Sequence, residues 1–68
     1  MLKSRRVQRA LESLGYTLKR IAGSEYLYSA PNGELVVVTL GHREISSNSV
    51  RKALKLGGVA WEAFMERY

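Results

Sequence analysis

The chain has no cysteine, no aspartate, a single proline and a single histidine in 68 residues. Without cysteine it can form neither a disulfide nor a thiolate metal site. A domain this short lies near the lower limit at which one apolar core holds without such staples, so stability must come from packing, a partner or a second copy. No apolar run approaches the roughly 20 residues of a membrane-crossing helix, and the N-terminus lacks the apolar centre of a signal peptide. The expectation is a cytoplasmic protein. With no repeat, linker or low-complexity tract, residues 1–68 are expected to form one domain. The hydrophobic content of 46% is ordinary for a globular chain and too high for a disordered one.

What is present in excess is positive charge. Eleven Lys and Arg face six Glu, a formal net charge of +5. In so short a chain this favours phosphate-bearing partners, although solubility alone accounts for such a charge nearly as well.

Periodicity divides the chain into helix, three strands, helix and a short last helix. Ser4 is placed to cap a first helix in which Val7, Ala10, Leu11 and Leu14 recur at helical spacing up to Gly15, with Arg5, Arg6 and Arg9 on the flanks and outer face. From Tyr16 to Ile21 the period drops to two, with Tyr16, Leu18 and Arg20 on one face and Thr17, Lys19 and Ile21 on the other. Strands are also expected over residues 25–30 and 34–40, joined by Pro31-Asn32-Gly33, where Pro fixes φ and Asn-Gly accepts positive φ. Loops this short imply an antiparallel meander. A polar connection over residues 41–45 leads to three cap residues, Ser46, Ser47 and Asn48, and a second helix over residues 49–56 with an apolar stripe of Val50, Ala53 and Leu54. Beyond Gly57-Gly58, Trp61, Phe64, Met65 and Tyr68 are available to close an open end of the core. The fold class is α+β: a double-stranded-RNA-binding-like α-β-β-β-α domain whose three-stranded antiparallel sheet is covered by helices on one face.

The stretch from Ile21 to Tyr28 concentrates chemistry. Gly23 gives the backbone freedom for a turn, and Ser24, Tyr26 and Tyr28 then share one strand face while Glu25 and Leu27 share the other. Around it, Lys19 and Arg20 precede the turn, and Arg51, Lys52 and Lys55 lie off the apolar stripe of the second helix, whose N-terminal amides can also hold a phosphate. Tyr26 and Tyr28 are placed to stack on splayed bases or to pack in the strand, with packing the stronger reading for Tyr28.

The ordered set Gly15-Tyr16, Gly23-Ser24, Tyr28, Pro31-Asn32-Gly33, the valine-rich strand, Glu44-Ile45, Val50-Arg51, Leu54-Lys55 and Gly58-Val59 resembles the HicA (YcfA-like) toxin family, over nearly the whole chain. The resemblance implies a small basic mRNA interferase, an endoribonuclease that needs no metal or other cofactor and is held inactive by a HicB-like antitoxin. It also implies an active-site histidine directly after the Gly-Ser pair, where this chain has Glu25. Cleavage through the 2′-hydroxyl needs one group to accept a proton and another to protect the leaving oxygen, and histidine, with an ordinary pKa of about 6.5, suits both. A glutamate is a poorer acid and its charge repels the phosphate. His42, in the loop after the third strand, is the remaining catalytic candidate, as the acid to Glu25's base.

Three classes follow. The first is a HicA-like protein that binds RNA through Lys19, Arg20, Gly23, Ser24, Tyr26, Arg51, Lys52 and Lys55, with or without cleavage. The second is an inactive protein-interaction module, whose sheet edges and apolar tail suit an antitoxin or a homodimer. The third is a nucleic-acid-binding regulator, and the lack of a helix-turn-helix pair weighs against DNA.

Overall fold

The structure, a computed structural model, describes residues 1–68. In chain order the elements are β1 (Leu2–Lys3), α1 (Ser4–Ser13), β2 (Thr17–Ala22), β3 (Glu25–Ser29), β4 (Leu35–Thr39), β5 (Glu44–Ile45), α2 (Ser47–Gly57) and α3 (Trp61–Arg67). The main sheet is the expected antiparallel meander β2-β3-β4. The helix, three strands and helix follow in the order that the hydrophobic periods dictate.

The valine run of β4 shows how one face comes to be covered. Val36 and Val38 are buried, whereas Leu35, Val37 and Thr39 are exposed. A strand's period of two therefore splits an almost uniformly apolar sequence into a core face and an open face. Tyr28, directly across from Val36, is fully buried and meets Tyr16 edge to face, with ring centroids 6.3 Å apart and planes at 81°. The Tyr16 hydroxyl donates to the Ala53 carbonyl at 2.9 Å, which fixes α2 over the sheet. Val7, Ala10 and Leu11 of α1 and Val50, Ala53 and Leu54 of α2 complete the same core.

α3 closes the end of that core. Phe64 is fully buried between Trp61 and Tyr68, at centroid distances of 5.4 and 5.8 Å. Two arginines hold this helix to its neighbours. Arg6 of α1 lies 4.2 Å over the Tyr68 ring and donates twice to the Tyr68 main-chain oxygen, at 3.1 and 2.7 Å. Arg51 of α2 lies 3.9 Å over the Trp61 ring. Contacts of this kind contribute about 0.5–1 kcal/mol each at exposed sites. Met65, expected with the covering residues, is instead exposed.

Several local expectations are corrected. Ser4 does not cap α1 but is its first helical residue, with Lys3 at the cap position making no side-chain bond. The reason is a clasp that has no periodic signal: β1 pairs antiparallel with β5, Leu2 opposite Ile45 and Lys3 opposite Glu44, and the Ser4 amide then donates to the Arg43 carbonyl at 3.0 Å. The polar connection over residues 41–45 thus ends in a strand. α2 starts two residues earlier than its stripe suggests because Ser46 is the cap, its hydroxyl accepting from the Ser49 amide at 3.3 Å. β2 starts at Thr17 because the Tyr16 amide still closes the end of α1 on the Leu11 carbonyl at 3.0 Å.

The correction with most consequence is a bulge in β2. Leu18 pairs with Tyr28 on the core face, but the next paired residue is Arg20, opposite Leu27 on the open face. Lys19 is the extra residue, so Arg20 does not share a face with Leu18 as strict alternation predicts.

Candidate nucleic-acid interface

The turn from β2 to β3 is held in a narrow frame. Gly23 takes φ +62°, which a side chain would strain. The carbonyl of Ser24 accepts two amides, from Leu40 at 2.9 Å and Gly41 at 3.0 Å, so the turn is bound to the exit of β4. Gly41 sits so close that a Cβ there would collide with Cα and Cβ of Ser24. Beyond this crossing, side chains leave towards the two sides of the sheet.

On the open side stand Glu25, opposite Ala22 and Thr39, and next to that row Arg20, Leu27 and Val37. Arg20, Ala22, Glu25, Leu27 and Val37 line a shallow hollow of about 110 Å³. The β2 bulge is what puts Arg20 diagonally beside Glu25 on this face. Leu35 and Val37 are 63% and 58% exposed, so the carboxylate stands at the border of an apolar strip.

On the helix side Tyr26, half-buried, faces a larger cavity of about 520 Å³. Lys3, Ser4, Arg5 and Gln8 of the start of α1 form one wall, and Leu40, His42 and Arg43 another. His42 and Glu25 therefore line different cavities on opposite sides of the sheet, and the structure does not bring them into one acid–base pair. Among the residues lining the larger cavity there are three permanent cations and no carboxylate.

The other site residues read from sequence are dispersed. Lys19 projects, exposed, from the bulge. Lys52 lines a groove of about 220 Å³ between β4 and α2, with Ser49, Val37 and Leu56. Arg51 is stacked on Trp61, and Lys55 lies in the last turn of α2, where a cation complements the carbonyl ends. The N-terminus of α2 is capped by Ser46, which occupies the Ser49 amide that a phosphate would otherwise use. Sequence reasoning missed Lys3, Ser4, Arg5 and Arg43 as a group, since only the β1–β5 clasp brings the two segments together. The available signal was the positive charge shared by Lys3, Arg5 and Arg43.

Burial pushes the Tyr28 phenol well above its usual pKa, helped by the Glu12 carboxylate and by Tyr26; burial alone raises Tyr16. Both are therefore neutral core groups rather than proton donors at working pH. No three His, Cys, Asp or Glu side chains gather into a set able to hold a metal ion, and no helix is long and apolar enough to cross a membrane.

Comparison with known proteins bears on this geometry in two ways. No curated protein matches the chain. A family profile described as the HicA toxin of bacterial toxin-antitoxin systems matches residues 4–59, from the first residue of α1 through the Gly57-Gly58 stop of α2. The chain belongs to the HicA toxin family.

Proposed function

We propose that the protein is a cytoplasmic, RNA-binding HicA-family toxin in which Glu25 has displaced the hydrolytic group, so that binding of RNA outlasts its cleavage. Family membership supports the toxin role and the pairing with an antitoxin of the HicB type. The observation that carries the catalytic half of the proposal is the separation of Glu25 from His42. At the position where the resemblance implies histidine stands an exposed carboxylate, on an open face whose hollow holds no imidazole.

A carboxylate is a poorer proton donor than the histidine that the resemblance implies, and it repels the phosphodiester it would have to approach. Arg20, the cation in that hollow, can position a phosphate but cannot exchange a proton at working pH. The face can therefore hold RNA without supplying the two proton transfers that cleavage needs. The open strip of Leu27, Leu35 and Val37 beside it provides apolar area suited to an antitoxin.

The test is fluorescence anisotropy with a labelled single-stranded RNA over a range of salt, with the same samples run on a denaturing gel. Affinity that falls linearly in log–log form with salt, together with intact RNA, is expected. RNA degraded by the wild-type protein, with degradation lost in Glu25→Gln, would overturn the catalytic half. Absence of binding at low salt would overturn the whole reading.

A further inference from the structure

The RNA reading does not say where a phosphate sits. The hollow containing Glu25 is small and sets a carboxylate against its one cation, Arg20, and the N-terminus of α2 is already capped by its own serine. The start of α1 differs on both counts. Its cap residue, Lys3, makes no side-chain bond, and although the Ser4 amide is taken by the Arg43 carbonyl, the next amides in the first turn have no partner within the helix. Ser4 is only 6% exposed, it lines the cavity, and its hydroxyl has no hydrogen-bond partner in the protein. A buried hydroxyl left without a partner costs about 1–3 kcal/mol, so such groups ordinarily meet a ligand or water.

Arg5 and Arg43 flank the same cavity from the helix and from the loop before β5, with His42 beside them. The nearest acid along the clasp, Glu44, faces Lys3 across the β1–β5 pair and does not line the cavity. Unpaired first-turn amides, a positive helix end, a buried unsatisfied hydroxyl and two guanidinium groups are the kinds of donor that hold a tetrahedral oxyanion, and they gather at one cavity. At about 520 Å³ the cavity has room for more than the anion, and the half-buried ring of Tyr26 offers a surface for an adjoining base.

We propose that the cavity between the N-terminus of α1 and the loop carrying His42 and Arg43 binds a phosphate group, supplied by the RNA backbone. The assignment of the source rests on the RNA reading; the assignment of the site does not. It adds a phosphate contact on the helix side of the sheet to the one that Arg20 offers beside Glu25.

The test is a titration of isotopically labelled protein with inorganic phosphate at constant ionic strength, followed through backbone amide resonances. Shifts at Ser4, Arg5, Arg6, His42 and Arg43 should saturate together, and the Arg5→Ala, Arg43→Ala double variant should weaken the binding at least about tenfold while its spectrum stays folded. A short single-stranded RNA should then displace the phosphate. Non-saturating shifts, or saturation unaffected by the double variant, would overturn the site. If phosphate saturates these amides but RNA binds without displacing it, the site stands as a free-phosphate site and its assignment to the RNA backbone fails. RNA that binds while the wild-type amides ignore phosphate would sink this proposal and leave the RNA reading intact.

Discussion

The crossing of the β2–β3 turn over the exit of β4 is tight enough to make a single methyl group decisive. In Gly41→Ala the new Cβ would overlap both Cα and Cβ of Ser24, and because Ser24 Cα belongs to the main chain, no rotamer change relieves it. Either the turn lifts from β4 or the loop moves away, and each breaks one or both of the amides donated to the Ser24 carbonyl from Leu40 and Gly41. Overpacking of this kind costs about 1–3 kcal/mol, and each lost main-chain hydrogen bond adds about 0.5–1.5 kcal/mol. For a domain of this size, each kcal/mol lowers the melting temperature by about 4–8 °C, so a fall of at least about 6 °C is expected. Thermal unfolding followed by far-ultraviolet circular dichroism reads this directly. Gly23→Ala is the control: its Cβ meets nothing within 4 Å, so only the positive φ is penalised, at about 1 kcal/mol. A Gly41→Ala protein melting within 2 °C of wild type, a margin of about half a kcal/mol, would show that the crossing is looser than the contacts describe.

The two buried tyrosines should respond in opposite ways to loss of their hydroxyls. Tyr28→Phe removes a buried hydroxyl without a partner and should leave stability unchanged or raise it by about 1 kcal/mol, whereas Tyr16→Phe loses the bond to Ala53 and should cost about 1 kcal/mol in urea unfolding. The same residues set an alkaline limit. Their pKa values in the folded protein are raised, so the unfolded chain gives up these protons first, near pH 10, while the folded protein still holds them. Stability should be level below about pH 10 and fall above it, and Tyr28→Phe should flatten that fall in a pH series of melting curves. Arg51→Ala should cost about 0.5–1 kcal/mol by removing the guanidinium from the Trp61 ring, and should change Trp61 fluorescence in the folded state; an unaltered spectrum would mean that the stacking does not persist in solution.

The elements with strong periods were legible in the sequence. α1, the meander and α2 each carry a clear apolar stripe or alternation, and in the Pro31-Asn32-Gly33 turn Gly33 takes the positive φ while Asn32 does not, its side chain instead accepting from the Glu34 amide at 3.0 Å. The assignment of Tyr26 and Tyr28 to one face and Glu25 to the other also follows from alternation. What alternation could not reveal was where it breaks. The bulge at Lys19 reverses the face of Arg20, and nothing in Leu18-Lys19-Arg20 marks the extra residue. The β1–β5 clasp was hidden for another reason: two-residue strands have no period, and their pairing joins residues more than forty positions apart. That pairing is what assembles Lys3, Ser4, Arg5, His42 and Arg43 around one cavity, so this cationic feature is tertiary in origin. Glu25 and His42 were each legible as site candidates, but that they line different cavities is a tertiary property with no local signal.

The central claim, that this HicA-family protein keeps an RNA-binding frame whose hydrolytic group is gone, is tested most directly by one side-by-side incubation. Purified wild-type protein and Glu25→His are each incubated with the same transcript in the presence of a chelator, and the RNA is resolved on a denaturing gel. The account predicts intact RNA with the wild type and cleavage with Glu25→His. Cleavage by the wild type at a rate equal to or above that of the variant would contradict it.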